Sequence, residues 1–309
     1  MNPSAHVRVQ VDLPRIRANA EGIRARTGKP IIAVVKADAY GLGATHVAPA
    51  IAALVEAFYV FDLAEAIDYR IDELTGRPTI ALLGESEDPG DYASRNVRPV
   101  VWTIDRASKL RAARPVLSVD TGQQRFGCPP GEVDAVKRAG GCDEAMTHAS
   151  TLAQAQVLRD LLGGRAKLHA AATALLDQPD AWLDAVRPGF ALYQGSVRVA
   201  TSLVDARDTR GPTGYSGFVS STGRHGVILA GYSNGLRPGP CLVNGTRRNV
   251  LEVGMQSAFV ELGPGDKAGD EVVLLGDGVS EDDVAQAWSV SPHHALLQLA
   301  SSGVKKYEE

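Results

Sequence analysis

The sequence predicts an α/β protein: a (β/α)8 TIM-type barrel followed by a C-terminal β-rich domain. Three observations lead there. Its 309 residues exceed an ordinary domain of about 100–200 residues, leaving room for a barrel with a second domain attached. Between about residues 31 and 190, short β-branched runs alternate with longer amphipathic stretches, as in a parallel sheet with crossover helices. After about Gly195 the runs are short, strand-like and bounded by Gly, Pro or Asn-Gly turn signals. The predicted division is therefore a barrel over residues 1–195 and a β domain over 196–309.

The first strand-like run, VRVQVDL at 7–13, reaches Asp12, a helix cap, with Pro14 in the following first turn; its pattern suits either domain. Barrel strands are then predicted at 31–35, 58–62, 79–84, 97–102, 116–120, 145–148, 166–169 and 185–189, the eight that close a barrel. Between them, 46–57, 64–74, 129–140 and 151–162 carry apolar residues three and four apart, the mark of amphipathic helices. An open doubly wound sheet competes, but its GxGxxG cue after the first strand is absent. The β domain draws its predicted strands from 202–208, 213–222, 225–233, 241–253, 257–263 and 271–278. A helix follows at 280–288, where Ser280 precedes an acidic first turn.

Composition narrows the function classes. With 44% hydrophobic and 22% charged residues, the chain is globular rather than fibrous or disordered. A net charge of −4, with Lys and Arg scattered singly, gives no stripe for a phosphate backbone, so no nucleic acid is expected. Cys128, Cys142 and Cys241 form no CxxC pair and leave one thiol over in any disulfide scheme, as in a reducing compartment. No leader pattern opens the chain and no apolar run nears the roughly 20 residues of a membrane span. The expectation is a cytoplasmic protein with no membrane partner and no metal.

Barrel enzymes place reacting groups where strands end and loops begin. Lys36 follows the apolar run IIAVV and precedes ADAYGLG, so an amine sits at a rim beside a glycine-flanked turn. A lysine held near apolar walls loses its proton more readily and can attack a carbonyl to form a Schiff base. The segment AVVKADAYGLG resembles the lysine segment of the alanine racemases. SVDTGQQRFG, AMTHAS, LHAAATA, VRPGFALYQG, GYSGF, AGYSNG and VGMQ follow in that family's order, from near Val11 to about Gly276.

The resemblance implies a fold-type III pyridoxal 5'-phosphate enzyme, an amino-acid racemase acting on a small-molecule substrate as a homodimer with shared active sites. It implies that Lys36 holds the cofactor and serves as one base, and that Tyr215 is the second base, reaching the opposite face of the substrate from the partner subunit. It places Tyr40, Thr173 and the backbone of Gly189 and Phe190 on the cofactor phosphate, the last two at a turn leading into a helix. Arg187 faces the pyridine nitrogen. Because guanidinium keeps its proton, that nitrogen stays unprotonated and the ring is a weaker electron sink, which favours return of the proton to Cα. His148 and His169 belong to the hydrogen-bonded network near the ring. Arg125 lies near the substrate carboxylate, with Tyr232 and Met255 on the substrate side.

Departures from the family cluster on that side. Ser118 stands where many members have a carbamylated lysine, and Ala172 where an asparagine is usual. CMDQ is replaced by Gly254, Met255, Gln256 and Ser257; Glu252 falls at a common arginine and Ser302 at a gate tyrosine. These changes predict a relaxed entrance that admits an amino acid bulkier or more polar than alanine. Two competing functions follow from the same resemblance: a weak or inactive cofactor-binding homologue, and an amino-acid decarboxylase. Decarboxylases of this layout place an acid, not Arg187, at the ring nitrogen.

Overall fold

A computed structural model describes residues Ser4–Glu309, so the first three residues of the predicted barrel range lie outside the described residues. The chain forms two compact units. One comprises the described residues up to Arg15 together with Tyr40–Leu42 and Gln194–Glu309; the other comprises Ile16–Ala39 and Gly43–Tyr193.

The strand β1 (Ser4–Asp12) opens the chain. In the larger unit, seven parallel strands pair in sequence order: β2 (Ile32–Val34), β3 (Ala57–Val60), β4 (Thr79–Ala81), β5 (Val97–Val101), β6 (Val116–Ser118), β7 (Glu144–Ala149) and β8 (Lys167–Ala171). Almost every strand position is buried, as expected of a parallel sheet covered by helices. The structure corrects the eight-stranded expectation. Residues 185–189 make no strand. Val186 bridges Ile31 and Ala185 bridges His169, while Ile32 N–H donates to Val186 O and Arg187 N–H to Ala171 O. Pro188 has no N–H to extend either ladder, and the chain turns into a helix at Phe190–Tyr193.

Predicted helices form with adjusted ends. Leu152–Leu162 buries Ala155, Leu158 and Leu162 and begins at a capping box, in which Thr151 Oγ1 accepts from Gln154 N–H and Gln154 Oε1 from Thr151 N–H. The predicted 64–74 helix is two pieces, Leu63–Asp68 and Ile71–Thr75, broken where Arg70 adopts a left-handed φ of 51°. The fully buried Tyr193 donates its hydroxyl to Val34 O at 2.7 Å, tying the short helix to β2.

The smaller unit holds β9 (Val197–Asp208), β10 (Arg224–Ile228), β11 (Gly239–Val243), β12 (Thr246–Val253), β13 (Ala258–Glu261), β14 (Glu271–Leu275) and β15 (Gly303–Glu308). Six of them pair antiparallel in the order β10-β13-β12-β11-β14-β9. Because β9 also pairs with β10, these six strands close on themselves. β1 adds to β9 antiparallel and to β15 parallel, so the N-terminal strand is part of this sheet. The predicted strand at 213–222 is a loop with a single Thr213–Phe218 bridge, since Gly214 and Gly217 sit at φ of 67° and 70°. Ser280 caps the helix Glu281–Trp288, as its acidic first turn foretold. A second helix, Pro292–Ala300, lies outside the predicted pattern, although Ser291 followed by Pro292 is a cap with proline at the first position.

Tyr193→Phe leaves the Val34 carbonyl short of a buried donor. The expected loss is about 1 kcal/mol, read as a melting midpoint lower by roughly 2–4 °C; an unchanged midpoint would show that the bond contributes nothing.

Candidate active site

Lys36 stands immediately after β2 and Val35, half-buried, at the head of a turn in which Ala37, Asp38, Ala39 and Tyr40 all have φ between 52° and 59°. A left-handed turn of L-residues costs roughly 1–2 kcal/mol per residue, so something must hold it. Glu65 and Tyr69 do. Ala37 N–H donates to Glu65 Oε1 at 2.8 Å, Asp38 N–H donates to the Tyr69 hydroxyl at 2.7 Å, and Tyr69 donates to Glu65 Oε1 at 3.1 Å. The other Glu65 oxygen accepts from Phe61 N–H at 2.8 Å, at the end of β3. Burial lowers the pKa of Lys36, and the guanidiniums of Arg125 and Arg187 lower it further, against the pull of Glu65. The amine is therefore more available as a base or nucleophile than a surface lysine.

Arg187 is sealed inside the sheet at 3% exposure. Its NH1 donates to His169 Nδ1 at 2.7 Å, its NH2 to Thr147 O at 2.9 Å, and its guanidinium lies 5.1 Å from the centre of the Tyr59 ring. Met146 Sδ is 3.7 Å from NH1. His169 is wholly buried, and burial together with Arg187 outweighs the pull of Glu144 and brings its pKa down to about 4. His148, two positions beyond Met146 on β7, keeps an open edge. Burial of the rest of its ring, with Arg187, Arg125 and Lys36 nearby, also lowers its pKa to about 4. Both imidazoles are neutral at pH 7.

Thr173 follows β8 and its Oγ1 accepts from Ala191 N–H at 3.1 Å, which brings it beside Gly189 and Phe190. Arg125 is exposed on a loop between β6 and Cys128. That loop is pinned without any lysine at 118: Cys128 N–H donates to Ser118 O, Asp120 N–H to Cys128 O, and Asp120 Oδ1 accepts from Gly122 and Gln124 N–H. A side chain at Gly127 would strike the Asp120 backbone at 2.5 Å.

The smaller unit gathers its own set. Tyr232 N–H donates to Gly254 O and Ser233 N–H to Met255 O, so Tyr232 and Met255 are neighbours. The Tyr215 ring edge lies 3.8 Å from where a side chain on Gly254 would begin. All three project outward, with Tyr215 at 93%, Met255 at 62% and Tyr232 at 57% exposure. Glu252 shapes the loop that presents Tyr215: its carboxylate accepts from Tyr215 N–H at 2.8 Å and Ser216 N–H at 2.6 Å. Hydrogen bonds from Ser216 and Tyr215 hold that carboxyl below its usual range. By its contacts Tyr40 also belongs here, 6.1 Å from His293, with burial pushing its phenol up to about 12. Ser302 is buried and donates to Leu299 O, so it is no gate.

The profile of the family described as "Alanine racemase, N-terminal domain" matches residues 11–197. The chain belongs to the alanine racemase family. The alanine racemase of Aeromonas hydrophila is 31% identical over 354 aligned positions, covering 96% of this chain and 98% of that protein. The biosynthetic alanine racemase of Pseudomonas aeruginosa superposes with a TM-score of 0.88 at 24% identity, over 100% of each chain. The alanine racemase of Bartonella henselae, solved with covalently bound pyridoxal phosphate, gives 0.86 at 20% identity, over 99% of this chain and 100% of that one. At these identities the two structures speak for a shared fold.

Pyridoxal phosphate is the family's cofactor, and the residues present suit it. Lys36, Arg125 and Arg187 make a cationic cluster in which, among the described residues, Glu65 is the carboxylate acting on the amine, a setting that suits an anionic aldehyde. Among the described residues no three His, Cys, Asp or Glu side chains cluster to hold a metal. Glu65, Tyr69, Glu144 and Tyr59 carry no role in the sequence motifs, and Glu252 stands there only as a replaced arginine. For Glu144 a signal existed: it shares a face of β7 with Met146 and His148 at period two, a charge on a face that should be buried.

The electrostatics predict the behaviour of Lys36. Arg125→Ala removes a repelling cation, so the lysine pKa rises and less of the amine is neutral at pH 8. Acylation of Lys36 in cofactor-free protein, followed by peptide mass spectrometry, should slow relative to the parent. The gap should narrow with added salt because Arg125 is exposed; faster labelling would contradict the assignment.

Proposed function

We propose that the protein is a pyridoxal-phosphate-dependent amino-acid racemase that moves the Cα proton with two bases, Lys36 and Tyr215. The observation that carries this is Lys36 itself, half-buried on a backbone turn of unfavourable hand, its pKa lowered by burial and by the two guanidiniums. When bound, pyridoxal phosphate supplies an electron-withdrawing ring that acidifies the α-proton of an attached amino acid. Lys36 holds the cofactor through Nζ and exchanges a proton with one face of Cα. Thr173 Oγ1, the Tyr40 hydroxyl and the N–H groups of Gly189 and Phe190 hold its phosphate. Arg187 donates toward the ring nitrogen without surrendering a proton, which disfavours fates other than reprotonation and argues against decarboxylation. Arg125 clamps the substrate carboxylate, and the neutral rings of His148 and His169 complete the polar lining.

Tyr215 serves the opposite face from the partner subunit of a homodimer. Its exposure beside Met255 and Tyr232 supports this, since so open an aromatic patch suits cover by a second chain. Three free, buried cysteines support a cytoplasmic setting. None of the described helices is long and apolar enough to cross a membrane. On the substrate side, Ser118, Glu252 and Gln256 replace larger or differently charged groups, which supports a substrate bulkier or more polar than alanine, the amino acid named in the relatives' titles.

Incubating the holoenzyme with single enantiomers of an amino-acid panel in deuterated water tests both parts. Exchange of the α-proton with inversion is expected, with alanine not the best substrate. Tyr215→Phe should slow exchange from one enantiomer by about 10²–10⁴-fold while cofactor content is kept. Bound cofactor without exchange would indicate an inactive homologue. A preference for alanine of about tenfold or more would contradict the entrance argument.

A further inference from the structure

Arg187 carries a buried charge, yet among the described residues no carboxylate pairs with it directly. Its donors end on an imidazole nitrogen, a carbonyl and a thioether. The nearest carboxylate along its hydrogen bonds lies one residue further on. His169 Nε2 is 3.2 Å from Oε1 of Glu144, a side chain only 6% exposed at the start of β7. The contact is close but off the line of a well-aligned hydrogen bond, so Nε2 counts among the buried polar atoms that lack a geometric partner. Glu144 is fixed from behind. Its other oxygen accepts from Arg98 NH1, while Arg98 NH2 donates to Asp143 Oδ1 at 2.7 Å and its Nε to Arg114 O at 2.9 Å.

The chemistry of this chain of groups allows one arrangement of protons. A guanidinium only donates, so Nδ1 of His169 must be bare to accept from Arg187. A neutral ring then carries its single proton on Nε2, and that proton faces Glu144. Burial pushes the Glu144 carboxyl up, but His169 and Arg98 outweigh it and bring its pKa to about 2, so an ionised acceptor is waiting. Carboxylate, imidazole and guanidinium thus stand in order, with a 3.2 Å contact between Glu144 and His169 and a 2.7 Å hydrogen bond from Arg187 to His169.

We propose that Glu144 is a positioning residue for the racemase reaction: by holding the His169 proton on Nε2 it keeps Nδ1 free for Arg187, and so fixes the guanidinium that faces the cofactor ring. Its last step rests on the function proposed above; the tautomer does not. The charge of Glu144 supplies what the buried Arg187 lacks.

The test is ¹⁵N NMR of histidine-labelled holoenzyme at pH 7, with the His169 signals assigned by their loss in His169→Gln, alongside kinetics of Glu144→Gln and Glu144→Leu. The unmodified protein should show His169 neutral and protonated on Nε2. Glu144→Gln, whose amide oxygen still accepts, should keep that tautomer and most of the turnover. Glu144→Leu should mix or reverse the tautomers and lower kcat about tenfold with KM and cofactor content little changed. Proton on Nδ1, or a doubly protonated ring, in the unmodified protein overturns the inference even if the leucine variant does not fold. So does a leucine variant with unaltered tautomer and turnover, or a glutamine variant as slow as the leucine one. A protein that shows the expected tautomer but exchanges no α-proton would instead count against the proposed function alone.

Discussion

A guanidinium shut inside a protein is tolerated only if every donor finds an acceptor and its charge finds an answer, because removing such an ion from water costs several kcal/mol. Arg187 is in that position, and much of the larger unit is arranged around it. β7 contributes the Thr147 carbonyl and Met146, β8 contributes His169, and β3 places the face of Tyr59 against it. The balancing carboxylate, Glu144, sits at the far end of the His169 ring. The same charge reaches outward, lowering the pKa of both histidines and of Lys36. Burial is the larger cause at each of these groups, and the buried cation adds to it.

The second constraint is backbone strain. Four consecutive L-residues after Lys36 take the left-handed conformation, and two side chains that follow β3, Glu65 in the helix Leu63–Asp68 and Tyr69 at its end, hold them there. Strain of this kind persists where the surroundings over-determine it, and it collects at working sites. Here it directs an amine into the cationic cluster instead of letting the chain run on into an ordinary helix. The Tyr69 hydroxyl stays protonated because burial and the adjacent Glu65 push its pKa up, which keeps both of its hydrogen bonds in place.

The alternation of strand and helix was legible because a parallel sheet buried on both faces leaves continuous apolar runs, and the motif order was legible because Lys36, His148, Arg187 and Tyr215 stand at strand ends or turns, with His169 in the middle of β8. Other features were not. The eighth strand at 185–189 reads as a strand by composition, but Pro188 and the immediate helix leave only bridges. The loop at 213–222 reads as β because it is aromatic and β-branched, whereas two left-handed glycines and the Glu252 carboxylate fold it into a turn. Glu65 was invisible as a site residue since it acts on backbone N–H groups, a relation no linear spacing records, while Glu144 showed only as a charge on a buried strand face and not as the neighbour of His169. Glu252 read only as a lost arginine; its actual work is to hold the loop that presents Tyr215.

The substrate-side departures look different once the loops are seen. Ser118 removes a lysine, but Asp120 and Cys128 pin the Arg125 loop by backbone bonds, so the segment is shaped without it. The cofactor side rests on more rigid ground, strands and a buried ion, and it carries the central claim that Lys36 is the residue joined to pyridoxal phosphate. Borohydride reduction of the holoenzyme followed by peptide mapping tests that claim most directly. The pyridoxyl label should be found on the peptide containing Lys36 and on no other; label on a different lysine, or none at all in protein shown to contain the cofactor, would contradict the account.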